Sequence, residues 1–252
     1  MIQNEIAATG RIELTNKTPQ IANLTDIGFA WPNGPQLLDI KKFSIEADEH
    51  VFLRGPSGSG KSTLLGLIAG VLQAQSGRIE VLGHDMTMMS GRQRDRLRAD
   101  HLGVIFQMFN LVPYLSVLQN VALPCQFSVR RRGNVARAGG IDHEARRLLK
   151  RLGLQSEDLL ARKVTDLSVG QQQRVAAARA LIGGPNLIIA DEPTSALDTD
   201  TRNQFIDLLN EEARASGAAV LFVSHEAGLS GPFDRTIDLM EINLAAAAKE
   251  VA

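Results

Sequence analysis

The sequence has one cysteine, one tryptophan and one tyrosine in 252 residues. With no second thiol, Cys125 can close no disulfide and anchor no zinc cluster; its apolar surroundings read as those of a small buried hydrophobe in a reducing compartment. Charge of one sign is also lacking. Lys and Arg number 27 against 28 Asp and Glu, so no global field favours nucleic acid, and no nucleic-acid partner is expected. Long apolar runs are missing too: Leu64 to Leu72 is broken by glycines and falls short of the roughly 18 residues a bilayer span needs. Met1 to Gln20 shows no basic-then-apolar leader, so the chain is expected to be soluble by itself and to meet a membrane only through a partner. There are no internal repeats.

What is present is organised around Gly55-Pro56-Ser57-Gly58-Ser59-Gly60-Lys61-Ser62-Thr63, between the apolar run Val51-Phe52-Leu53 and a helix-like segment. Glycines let the backbone curl so that successive N–H groups point inward, and the helix behind adds its positive end, which makes a polyphosphate pocket. In this pattern Lys61 reaches the β- and γ-phosphates of a nucleotide, and the Ser62 hydroxyl sits on Mg²⁺. Chance produces such a pattern in about one chain in a hundred of this length at average composition. A strand before and a helix after complete its required context.

The chain order fits one large core with an inserted subdomain, as 44% hydrophobic residues in this length allow. Residues 1–20 read as a flexible extension with a short strand around Ile12 to Leu14. Ile27, Phe29 and Trp31 alternate on one face, Pro32-Asn33-Gly34-Pro35 turns, and Phe43 and Ile45 alternate again, as half-buried antiparallel strands do. A helix runs from Lys61 to Ala69 and stops at Gly70, and Arg78 to Leu82 is a short strand. Leu187 to Ala190 and Ala219 to Val223 are continuously apolar, the mark of strands covered on both faces of a parallel sheet. Asp191-Glu192 follow the first and Ser224-His225 the second. Carboxyl ends of parallel strands share one edge, so these segments and the phosphate loop are predicted to converge on one nucleotide.

The middle reads helical, with Val117 to Leu123 and then Glu144 to Leu152, whose Leu148, Leu149 and Leu152 form a stripe ended by Gly153. Arg130-Arg131-Arg132 to Gly140 reads as a basic, glycine-bearing loop: a solvated linker, or else a contact for anionic lipid headgroups. After Phe233 the sequence passes into an alanine-rich tail. Ser168 and Gln171 form a capping box that opens a helix carrying Val175, Ala178 and Ile182. That terminus, with the Ser168 hydroxyl and the unhindered Gly170, is a second anion site. A single chain does not need two, so the economical solution is a head-to-tail pair in which each helix caps the nucleotide held by the other.

Leu167-Ser168-Val169-Gly170-Gln171 resembles the signature of ATP-binding cassette (ABC) ATPases, and Leu187 to Pro193 resembles their Walker B strand with its trailing glutamate. The resemblance covers residues 21–243, leaving 244–252 as a tail. It implies an α/β P-loop NTPase fold with a mostly parallel RecA-like core sheet, an antiparallel β-subdomain and an inserted helical subdomain over roughly 108–170. Position by position, Gln107 resembles the Q-loop glutamine, Ser195 to Asp198 the D-loop and His225 the switch histidine, while Trp31 stands where a tyrosine usually stacks on adenine. Val169 replaces a usual signature glycine. Within the superfamily, Phe106 to Leu115 with Asn120 to Pro124 is similar to the macrolide-efflux and lipoprotein-releasing branch (MacB and LolD type), although Gln119 replaces an expected glutamate.

The resemblance implies ATP hydrolysis with Mg²⁺. Gly55, Ser57, Gly58, Ser59, Gly60, Lys61, Ser62 and Thr63 cradle the phosphates, and Ser62, Asp191 and Gln107 serve the metal. Glu192 is the general base, His225 holds the γ-phosphate, and Ser168, Gly170, Gln171 and Asp198 act across a homodimer or paired cassette. The expected partner is an FtsX- or MacB-like permease contacted near Met108 to Leu115, which places the chain on the cytoplasmic face of the inner membrane. A non-transporting cell-division-type signalling cassette is the alternative function. A soluble ABC protein of translation or repair is disfavoured by the single cassette and neutral charge.

Overall fold

The structure, a computed structural model, describes residues 19–245 apart from residue 196. The short strand expected near Ile12 lies outside the described residues. In chain order come β1 (Gln20–Ala30), β2 (Gln36–Glu46), β3 (His50–Arg54), α1 (Lys61–Ile68), β4 (Ser76–Val81), β5 (His84–Asp85), α2 (Gly91–His101) and β6 (Leu102–Ile105). Four helices follow: α3 (Val117–Phe127), α4 (Val129–Arg137), α5 (Ile141–Arg151) and α6 (Glu157–Ala161). The chain closes with α7 (Val169–Leu181), β7 (Leu187–Asp191), α8 (Thr199–Ser216), β8 (Ala219–Ser224), β9 (Arg235–Asp238) and α9 (Leu239–Ile242). Among the described residues no helix is long and apolar enough to cross a membrane.

Two sheets result. An antiparallel one has the order β2-β1-β4-β5, and a wholly parallel one the order β6-β7-β8-β3-β9. Period-two geometry splits the parallel strands between two cores. Phe52, Ile188, Ala190, Val220 and Phe222 face the core built with α3, α5, α7 and α8. Their neighbours Val51, Leu53, Ile189, Leu221 and Val223 face α1 and the antiparallel sheet. Continuous apolar runs are thus the price of a sheet covered on both sides.

The structure corrects several sequence expectations. The segment after Phe233 is not yet tail: β9 pairs in parallel with β3 and completes the sheet edge, and Asn243 bonds back to Leu37 and Asp39 of β2. The helix expected to end at Leu123 runs on through Pro124 to Phe127, because Arg132 donates to the Cys125 and Gln126 carbonyls at its end. The basic run is not a solvated loop but helix α4, capped by Ser128. Arg130 donates to the carbonyls of Asp100 and Gly184, and Arg131 to those of Leu102, Ala180 and Ile182. Successive arginines therefore close the carboxyl ends of α2, α7 and α3, where helix dipoles favour cations and last-turn carbonyls lack partners. Gly183 is left-handed (φ 75°), and a Cβ there would sit 2.6 Å from Arg131 Cβ, so only glycine lets the arginine pass.

Candidate active site

The phosphate loop leaves the end of β3 and enters α1 at Gly60, whose φ of 103° suits glycine; a Cβ there would also lie 2.7 Å from Leu38 Cδ2. Buried Lys61 donates from Nζ to the Gly55 carbonyl at 2.8 Å and the Pro56 carbonyl at 2.9 Å. The Ser59 hydroxyl is turned inward against Gly55. A cleft of about 440 Å³ is lined by Ser57, Gly58, Gly60, Lys61, Ser62 and Thr63, with Gln107, Glu192 and Trp31 closing it from other segments. Trp31 is half-exposed at its rim and meets Phe29 edge-on at 5.2 Å. Residues from four distant stretches thus share one cavity, at the carboxyl edge where β3, β6 and β7 end.

Acidic groups gather around the ammonium. Glu192 Oε1 lies 3.6 Å from Lys61 Nζ and 3.3 Å from His225 Nδ1. Its backbone is left-handed, with φ 44°, held by its N–H donating to the Val223 carbonyl at 3.0 Å. A non-glycine residue in that region costs about 1–3 kcal/mol and persists only where the surroundings enforce it. Asp191, the last residue of β7, has its carboxyl raised above the usual range by burial, with the Ser62 hydroxyl and Lys61 acting the other way. Among the described residues no cluster of three His, Cys, Asp or Glu side chains could hold a metal alone. Ser62 and the partly buried Asp191 nevertheless fit Mg²⁺, which takes one or two protein oxygens when phosphates and water supply the rest.

Other predicted residues stand apart from this cleft. Ser168 caps α7, its hydroxyl accepting from Gln171 N–H while Gln171 Oε1 accepts from Ser168 N–H. Val169 is exposed there, and a Cβ on Gly170 would touch only Leu197 at 3.4 Å. Asp198 caps α8 by accepting from Thr201 N–H at 3.0 Å; hydrogen bonds from Thr201 hold its carboxyl below the usual range. None of Ser168, Gly170, Gln171 or Asp198 lines the cleft within one chain. Gln119 fills the third helical position of α3 and closes a capping box with Ser116, a task an amide performs as well as a carboxylate.

The stretch Met108 to Leu115 divides. Met108 and Tyr114 are strongly exposed, whereas Phe109 is buried and Leu111 packs on the core. Phe109 and Asn110 are both left-handed (φ 58° and 49°), and their carbonyls accept from Arg179 of α7 at 2.6 and 2.7 Å. Burial lowers the Arg179 guanidinium from its ordinary value. Sequence reasoning passed over this arginine; its only trace is a cation inside the small-residue run Ala176 to Ala180. Beside it lies a groove of about 390 Å³ with Phe106, Leu123, Pro124 and Phe127 in its walls.

A family model described as ABC transporter matches residues 38–195. The chain is 40% identical over 207 residues to the lipoprotein-releasing system ATP-binding protein LolD 2 of Rhodospirillum rubrum, covering 82% of this chain and 86% of that one. It is 36% identical over 225 residues to the macrolide export ATP-binding/permease protein MacB of Shigella flexneri, covering 88% of this chain but 33% of MacB. Among solved structures, the dimeric post-hydrolysis state of the ATP-binding cassette MJ0796 bound to ADP and Pi superposes with TM-score 0.76 at 32% identity, over 86% of this chain and 93% of that one. With the family model spanning more than half its length, and the expected α/β cassette fold in place, this chain belongs to the ABC transporter family as one of its ATPase cassettes.

Proposed function

We propose that this cassette binds and hydrolyses Mg-ATP between two head-to-tail copies and drives a membrane permease of the LolD and MacB branch. The observation that carries the reading is the trio in which one oxygen of Glu192, a residue lining the loop cleft, lies 3.6 Å from Lys61 of the same lining and 3.3 Å from the half-exposed His225. Phosphoryl transfer to water is largely a matter of positioning and charge neutralisation. Lys61 and the loop amides neutralise and hold the β- and γ-phosphates, and Trp31 offers its indole face to the base. Ser62 and Asp191 would hold Mg²⁺, which supplies charge neutralisation to the phosphates, and Gln107 lies on the same wall. Glu192 takes the proton of the attacking water, and His225 holds the base in place and meets the γ-phosphate.

Ser168, Gly170 and Gln171 lie outside their own cleft, and their helix N-terminus suits the γ-phosphate held by a second copy. A head-to-tail pair accounts for both facts. The permease's cytoplasmic helix would seat on exposed Met108 and Tyr114 and in the Phe106–Phe127 groove, placing the cassette against the cytoplasmic face of the membrane. Apolar walls and an adaptable methionine suit a helix that must stay docked while the cassettes move. For the chemistry, Glu192→Gln is expected to keep Mg-ATP affinity while turnover falls about 10²–10⁴-fold, the range of a lost general base. Wild-type turnover in a folded Glu192→Gln protein would remove Glu192 from the mechanism.

A further inference from the structure

The segments carrying Asp198 and His225 are joined by a side chain to which the reading above gives no role. Arg202 lies on the first turn of α8, largely buried. One guanidinium nitrogen pairs with the Glu226 carboxylate, and the other donates to the Leu197 carbonyl at 2.9 Å. Its backbone N–H donates to the Asp198 carbonyl at 3.0 Å. Glu226 follows His225 directly, its own N–H donating to Ser224 Oγ at 3.1 Å. Ser224 is fixed in turn as the last residue of β8, in register with Arg54 of β3. His225 is therefore the middle residue of a turn pinned on one side by the sheet and on the other by Arg202. From that turn its ring reaches Glu192 Oε1 at 3.3 Å.

The chemistry of this strut is specific. A planar guanidinium can hold two acceptors on different segments at once, which an ammonium on a flexible stem does poorly. Arg202 is the more buried of the two, at 14% against 35% for Glu226, so losing the carboxylate would leave a mostly enclosed guanidinium poorly compensated, and the pairing ties the Glu226 turn to α8. The Leu197–Asp198 turn sits beside Gly170 at the amino end of α7, where Leu197 is the neighbour a Cβ at Gly170 would meet. A second cassette docking at that end would press on this turn first.

We propose that Arg202 is a positioning residue for hydrolysis: it ties the placement of His225 to the conformation of the Leu197–Asp198 turn, so that docking of the second copy is felt at the Glu192–His225 pair. This rests on the roles given above to Glu192 and His225. Its test compares Arg202→Met, Arg202→Lys, Glu226→Gln and His225→Ala for thermal stability, Mg-ATP affinity, KM and kcat. Arg202→Met is expected to lower kcat at least about 10-fold with affinity within about 2-fold, and Arg202→Lys to recover part of the loss because it still neutralises Glu226. Added to His225→Ala, Arg202→Met should cost nothing further in kcat, since both act through one group.

If His225→Ala keeps its turnover, the reading of His225 falls. If His225→Ala collapses turnover while a folded Arg202→Met does not, the inference falls and the reading stands. Additive losses in the double variant would also overturn it. Should Arg202→Met fail to fold, Glu226→Gln decides: it keeps the shape, removes the charge and is expected to lower kcat several-fold, and wild-type kcat there would contradict the proposal.

Discussion

Lys61 and Arg131 are both buried cations, at 6% and 1% exposure, yet they are held for opposite ends. Lys61 shares its ammonium between two loop carbonyls and a carboxylate 3.6 Å away at the floor of an open cleft. Its bonds can be exchanged for those of an anion. Arg131 is closed off, spending its guanidinium on the carbonyls of Leu102, Ala180 and Ile182, and burial pushes it down to about 10. One cation is kept available for a ligand, and the other joins the end of α7 to the strand that leads to Gln107. Burial of charge alone therefore does not mark a site; what the charge faces does.

The largest separation should come from neutralising each. Arg131→Met is expected to destabilise the fold by about 3 kcal/mol or more in chemical denaturation, because several buried carbonyls lose their donor. Lys61→Ala should leave stability equal or higher while Mg-ATP binding, followed by thermal shift, is lost. A stable Arg131→Met protein would erase the contrast. A smaller effect concerns the acid beside Lys61. Burial sets the Asp191 pKa above its unfolded value, so ionising it costs folding free energy as pH rises through that window. Asp191→Asn should therefore raise Tm at neutral pH, and the gain should vanish below the usual carboxylate range, while Mg²⁺-dependent turnover is lost. The smallest effect sharpens the structural half: Arg132→Ala, which frees only the part-buried Cys125 carbonyl and the exposed Gln126 carbonyl, should cost about 1 kcal/mol.

The same contrast explains what could be read in the sequence. Lys61 sits inside a contiguous motif whose spacing encodes its geometry, and β7 and β8 announce two-sided burial by unbroken apolar runs. The β1–β2 hairpin was legible for a similar reason, since the Pro32–Pro35 turn and the alternation around it are local. Arg131 has no such local mark. Its helix buries an arginine and Val135 in place of an apolar stripe, so periodicity is silent, and its partners lie 29 to 51 residues away. Edge strand β9, Arg-Thr-Ile-Asp, is short and half-exposed, and only pairing with β3 makes it a strand. Arg179 and Arg202 were missed likewise, because Arg179 serves two backbone carbonyls and Arg202 one carbonyl and a carboxylate 24 residues away, partners that no local residue pattern specifies. Ser168, Gly170 and Asp198 were found by motif, and their place away from the chain's own cleft is the feature that calls for a second copy.

That requirement is the account's centre, and sedimentation of the Glu192→Gln protein with and without Mg-ATP tests it most directly. The account predicts a monomer that becomes a dimer when ATP is added, with Ser168→Arg abolishing the change while leaving ATP affinity of the single chain intact. A Glu192→Gln protein saturated with ATP that remains monomeric, alone and beside its membrane partner, would contradict it.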